Sequence, residues 1–252
     1  MTRDAVRFLL KLSILLTVLA LVPWSAQARD CKAGALGTSR TLKINSATTV
    51  GIGQGYPPLG LARGEIILTF DDGPLPETTP RILDTLAQDC IRATFFMIGK
   101  RAEAHPEIAA QVRQAGHSIG SHSYSHRELK ELPYDEAAED IRRGYEAVEK
   151  AVFGSVVDRP RLFRFPEFKS TPALIDFVRT HHGTVVNTTI SPEDWRGDPA
   201  RITFDRLRQR FDRIDRGIVL LHDKQPETVK LLPMVIAEMK ARKMRIVHLE
   251  IE

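Results

Sequence analysis

From residue 65 onwards, short apolar runs alternate with stretches whose apolar residues recur at helical spacing. The runs 65–70, 93–99, 118–122, 161–166, 184–190, 217–222 and 245–250 have the length and content of strands buried on both faces. Between them the pattern turns helical. Thr79 and Pro80 predict an N-cap and first helical position for a helix presenting Ile82, Leu83 and Leu86. Glu103 to Ala115 predicts a second helix, stopped by Gly116. Ile141, Tyr145, Val148 and Val152 mark one face of a third, ending near Gly154, and helical patterns follow at 172–181, 200–214 and 227–242. Repeated strand–helix units predict an α/β fold with a parallel sheet, doubly wound or closed into a barrel. In both architectures ligands bind at the C-terminal ends of the strands.

The segment before this alternation has a different composition. Arg3, Arg7 and Lys11 precede an apolar stretch from Leu12 to Val22, followed by Pro23 and Ala26-Gln27-Ala28. That order of basic, apolar and small residues predicts a secretory signal peptide over residues 1–28 and a periplasmic or secreted protein. The stretch is short for a spanning helix, so no stable membrane span is expected after cleavage. Residues 29–63 form a polar, Gly-rich N-terminal extension, and 64–252 form a single domain. The 252 residues are 42% hydrophobic, enough for one sizeable core. The whole chain carries a formal charge of +4, and removing residues 1–28, with three basic residues and one acidic, leaves +2. A balance so near neutrality argues against a nucleic-acid partner. The arginines between Arg201 and Arg216 interleave with Asp205, Asp212 and Asp215, as on a solvated helix face. Cys31 and Cys90 leave two states open: a bridge tying the extension to the domain, or a buried Cys90 with a free Cys31.

Unusual polar residues follow the expected strands one after another. Asp71-Asp72-Gly73 ends the first, and His122-Ser123-Tyr124-Ser125-His126 follows the third. Arg164-Phe165-Pro166 ends the fourth, Asp194-Trp195 follows the fifth, and the sixth runs into His222-Asp223. In a parallel sheet these strand ends converge on one rim. Two imidazoles and one carboxylate form a ligand set of catalytic zinc sites, which keep one position open for water. A second carboxylate could take a proton from that water and a separate imidazole could protonate a leaving group. The expected chemistry is metal-assisted hydrolysis of an acyl group.

At these residues the chain resembles the polysaccharide deacetylase family, the NodB homology domain of carbohydrate esterase family 4. Thr69-Phe70-Asp71-Asp72-Gly73, His122-Ser123-Tyr124-Ser125-His126, Arg164-Phe165-Pro166 and Leu220-Leu221-His222-Asp223 match four motifs in the family's order. The resemblance covers about residues 64–252 and implies a distorted (β/α) barrel of about seven parallel strands. It implies Asp71 as general base, Arg164 as its partner, His222 as general acid, and Asp72, His122 and His126 as metal ligands. It places Glu167 at the oxyanion through its backbone N–H, Leu220 beside the acetyl methyl group, and Trp195 as an apolar wall. Two positions depart from the pattern. Glu167 stands where an aromatic is usual, and Ser191 stands where relatives carry the first aspartate of Asp-x-x-Asp-Trp. Either Glu193 or Asp194 replaces that carboxylate, or His222 is a less basic acid.

The resemblance implies a Zn2+-dependent enzyme, or one using another divalent transition metal, that removes N-acetyl groups from N-acetylglucosamine units of a glycan such as a chitooligosaccharide or peptidoglycan; a monomer is expected. Competing readings are an O-acetyl xylan esterase using the same site and a glycan-binding pseudoenzyme.

Overall fold

A computed structural model describes residues 31–46, 49–51 and 59–252. The expected signal peptide lies outside the described residues. All seven expected strands form: β3 (Glu65–Asp71), β4 (Thr94–Met97), β5 (Ser118–Ser121), β6 (Arg161–Phe163), β7 (Gly183–Val186), β8 (Gly217–His222) and β9 (Arg245–Ile251). Two more, β1 (Thr38–Ile44) and β2 (Thr49–Val50), come from the polar extension, in which no strand was expected. Seven helices intervene: α1 (Thr79–Gln88), α2 (Gly99–Ala104), α3 (Pro106–Gln114), α4 (Tyr134–Phe153), α5 (Pro172–Thr180), α6 (Ala200–Phe211) and α7 (Pro226–Ala241).

Every strand pairing is parallel, in the order β1-β9-β3-β4-β5-β6-β7-β2, with β8 also on β3. Between β7 and β8 the ladder shrinks to one bridge, Ile190 to Val219, with Leu220 N donating to Ile190 O at 2.9 Å. The result is a distorted (β/α) barrel, without a continuous ladder around its whole circumference. β1 was hidden from the hydrophobic pattern because Arg40 and Lys43 interrupt it and only Leu42 and Ile44 are apolar enough to pack. It is held instead by its ladder to β9 and by Arg40, which donates to Glu65 from Nε (2.9 Å) and Nη2 (2.7 Å).

Side chains alternate across each strand, and the alternation builds the site. Ile66, Leu68, Phe70, Phe95, Met97, Val219 and Leu221 face the helices in the largest core cluster. The residues between them, Ile67, Phe96, Leu162, Val186 and Ile218, meet in a separate cluster inside the barrel with Val247 and Leu249. Continuing the inward row by steps of two leads from Ile67 to Thr69 and Asp71, from Leu162 to Arg164, and from Ile218 to Leu220 and His222. The interior is apolar low in the barrel and charged at its C-terminal rim. Leu86 of α1 is fully buried in the outer cluster, and Leu86→Ala would cost about 2–5 kcal/mol.

Two helix boundaries differ from the sequence reading. The 103–115 helix is broken at His105, because Pro106 disfavours a helical residue before it and restarts the helix as α3. Thr78, not Thr79, is the N-cap of α1, while the Thr79 hydroxyl donates to Asp223 Oδ2 at 2.8 Å and accepts from Leu75 N. Cys31 and Cys90 form a disulfide with a Cα–Cα distance of 5.6 Å. Around it Lys32 pairs with Asp89 at 2.5 Å and Gly37 N donates to Asp89 O, so the start of the extension is pinned to the end of α1. α6 buries Phe204, Leu207 and Phe211 and turns its arginines outward into pairs such as Arg208–Glu238, the solvated face expected. Among the described residues no helix is long and apolar enough to cross a membrane.

Candidate active site

Asp71 ends β3, in register with His222 at the end of β8. Asp72 then adopts φ 81°, and the carboxylates of both aspartates come near His122 Nε2, Asp71 Oδ2 at 3.7 Å and Asp72 Oδ1 at 3.6 Å. Gly73 follows because Asp223 packs directly on its Cα, leaving no room for a Cβ. His122 lies one residue beyond β5, and its amide donates to Met97 O at 2.8 Å.

Asp72, His122 and His126 each offer one ligand atom, all within 4.8 Å of one another. Asp72 Oδ1 lies 3.1 Å from His126 Nε2 and 3.6 Å from His122 Nε2, yet it is buried and makes no aligned hydrogen bond. An oxygen left without a partner between two imidazole nitrogens suits a cation. His122 Nδ1 donates to Arg164 O at 2.7 Å, which leaves Nε2 as the lone-pair nitrogen facing the cradle. Burial pushes the His122 pKa down against the charges of Asp71 and Asp72, keeping the ring neutral and able to ligate. Burial pushes Asp72 up, but His126, His122 and His222 outweigh it and hold the carboxyl below its usual range. The donor set fits a divalent transition metal.

The loop carrying His126 is fastened by a residue that sequence reasoning missed. Asp140 of α4 accepts from Tyr124 N (2.9 Å), Ser125 N (3.1 Å) and Ser125 Oγ (2.5 Å). Ser123 Oγ accepts from His126 N at 3.0 Å. Gly144 lets α4 approach this closely, since a Cβ there would sit 2.5 Å from the Ser123 carbonyl carbon. Lys224, also missed, lies with Nζ 2.7 Å from Asp72 Oδ2.

The other half of the site handles charge without ligating. Arg164 is fully buried and donates from Nη1 to Asp71 Oδ1 (2.7 Å) and Thr69 Oγ1 (2.9 Å), and from Nε to Val186 O (2.9 Å). Those bonds fix Asp71 Oδ1 and leave Oδ2 3.7 Å from His122 Nε2, facing the cradle. His222 Nδ1 donates to Asp194 Oδ1 at 2.8 Å, and His222 N donates to Asp194 Oδ2 at 2.7 Å. Thr228 Oγ1 completes the Asp194 shell at 2.6 Å. Of the alternatives left open by Ser191, the structure selects Asp194; Ser191 Oγ only accepts from Glu193 N. Burial lowers the His222 pKa, but the hydrogen bond and charge of Asp194, with the charges of Asp71 and Asp72, raise it overall. Asp223 is pushed up to about 7 by burial, against the Thr79 hydrogen bond.

The expected substrate-facing residues occupy three different environments. Leu220 is buried on the inward row directly below His222. Trp195 is 54% exposed on the turn after Asp194, at the rim and outside the core. Glu167 adopts φ 53°, and its exposed carboxylate pairs with Lys169 Nζ at 2.8 Å.

A parallel α/β barrel with a three-residue donor cradle and two partnered pairs, Asp71–Arg164 and His222–Asp194, on its C-terminal rim has the arrangement of a hydrolytic site. Residues 61–185 match the family described as Polysaccharide deacetylase. A peptidoglycan-N-acetylglucosamine deacetylase of Bacillus cereus is 32% identical over 193 residues, 74% of this chain and 67% of that one. A chitooligosaccharide deacetylase of Azorhizobium caulinodans is 31% identical over 65% of this chain and 76% of its own. Among solved structures, a peptidoglycan deacetylase of Bdellovibrio bacteriovorus superposes with a TM-score of 0.73 at 31% identity, over 88% of this chain and 62% of that one. The chain belongs to the polysaccharide deacetylase family.

Proposed function

We propose that this chain is an exported, monomeric, metal-dependent N-deacetylase that releases acetate from N-acetylglucosamine units of a polysaccharide or oligosaccharide of peptidoglycan or chitooligosaccharide type. The carrying observation is that a base, Asp71 on Arg164, and an acid, His222 on Asp194, flank one cradle of Asp72, His122 and His126. A divalent ion such as Zn2+ held by those three residues would acidify a water and polarise the acetyl carbonyl.

Asp71 takes the proton from the attacking water through Oδ2, its other oxygen being held by Arg164. The Glu167 backbone N–H, turned by its left-handed φ, serves the developing oxyanion. His222, with Nδ1 committed to Asp194, presents Nε2–H to the departing amine. Leu220 below and Trp195 at the rim bound the acetyl group and the sugar. An amine leaves poorly unless protonated, so an imidazole whose pKa is raised suits an amide substrate. The relatives named for peptidoglycan and chitooligosaccharide deacetylation support the glycan class. The residue order at 1–28 and the Cys31–Cys90 bridge support export to an oxidising compartment.

The test is acetate release from peptidoglycan, chitooligosaccharides, poly-N-acetylglucosamine and acetylxylan, with and without chelator. Chelator-sensitive release from an N-acetylated glycan is expected. Release from acetylxylan alone would make the chain an esterase, and release from none of the four would favour the glycan-binding reading.

A further inference from the structure

Asp72 has two oxygens in different surroundings. Oδ1 faces the imidazoles of His122 and His126 without an aligned hydrogen bond. Oδ2 lies 2.7 Å from the ammonium of Lys224, two residues beyond His222. The lysine is 31% exposed, so its charge is only partly screened. The other nearby cations are committed elsewhere: Arg101 donates to the Asp72 main-chain oxygen at 2.6 Å, and Arg164 to Asp71. Neither the ligand set nor the acid–base pair described above uses Lys224.

We infer that Lys224 is a positioning residue that serves as the standing counter-ion of Asp72 and lowers the site's affinity for metal, an inference that rests on the metal-site reading above. A buried carboxylate without a partner is costly, and Lys224 supplies one that persists whatever occupies the cradle. Its hold on Oδ2 leaves Oδ1 as the single oxygen turned to the imidazoles. The same positive charge opposes a divalent cation approaching Oδ1. Lys224 thus trades tight retention of the metal for a carboxylate fixed in one orientation.

The experiment measures Zn2+ affinity of the purified protein, Lys224→Met and Lys224→Arg by competition with a chromophoric chelator, with circular dichroism confirming the fold of each. Lys224→Met should bind zinc about ten-fold more tightly than the parent, the size expected of one partly screened charge beside a divalent ion. Lys224→Arg, which keeps the charge, should stay within about three-fold of the parent. A plain packing role would move both variants together. If Lys224→Met melts before titration, Lys224→Gln keeps a donor to Oδ2 without the charge and should also bind more tightly. Equal or weaker affinity in the neutral variants, with zinc bound by parent and variants alike, overturns the inference alone. A parent that takes up no divalent metal overturns the metal-site reading and this inference with it.

Discussion

His122 and His222 are the same side chain, delivered by the same device, and the structure makes them opposites. Each stands at the end of a buried strand and donates its Nδ1 proton backwards. His122 donates to a neutral acceptor, the carbonyl of Arg164, whereas His222 donates to the carboxylate of Asp194. One formal charge separates the two settings. Burial therefore wins at His122 and the ring stays neutral, while Asp194 overcomes burial at His222 and the ring gains basicity. What an imidazole does at a strand end is decided by the group behind it, more than by its position on the rim.

The comparison breaks most sharply on removing each ring. His122→Ala should abolish stoichiometric zinc uptake and reduce acetate release at least about 1,000-fold. His222→Ala should keep its zinc and lose about 100- to 10,000-fold in kcat. Metal analysis after dialysis, beside the acetate assay, checks both; zinc loss in His222→Ala would erase the distinction. Next in size, Asp194→Asn should lower kcat about 10- to 100-fold. Asp194 raises the His222 pKa, so without its charge the acid form is lost at lower pH. The alkaline limb of the pH–rate profile should accordingly move to lower pH, with zinc affinity unchanged. Asp140→Ala loosens the loop of His126 and should weaken zinc binding about ten-fold while leaving that limb in place. Smallest is Ser191→Asp. With Asp194 already on His222, it should change kcat by less than about two-fold, and a larger gain would show that the His222 relay is incomplete.

The seven core strands were legible because most carry a short apolar run, such as Ile66-Ile67-Leu68 or Ile218-Val219-Leu220-Leu221, set between helical patterns. The rim followed from them: Asp71, Asp72, His122, His126, Arg164 and His222 were found by asking which polar residues follow the strands. Residues whose role depends on an irregular turn were only partly legible. Asp194 was one of two candidates, beside Glu193, and the turn that brings it to His222, with Glu193 at φ 62°, is encoded by no periodicity. Asp140 lies on a helix face that patterning assigns to solvent or core, yet it caps Tyr124 and Ser125, sixteen and fifteen residues earlier in the chain. Lys224 belongs to none of the motifs, and its pairing with Asp72 is visible only in the structure. The break at His105-Pro106 was missed, although the proline signals it: the residue before a proline is disfavoured in a helix. β1 was concealed by its own edge position, where alternating charged residues are tolerated.

That edge strand also constrains the order of assembly. β1 is laid parallel along β9, and the Ser39 hydroxyl reaches the Ile246 carbonyl at 2.7 Å across 207 residues. Among the described residues its ladder partner is β9 alone, so β1 has no strand to pair with while the intervening strands and helices are made. Closing a contact of that span costs more chain entropy than closing the local strand–helix units. The outer pair of the sheet thus joins segments separated by 207 residues, and the edge on which β1 lies exists only once β9 has formed.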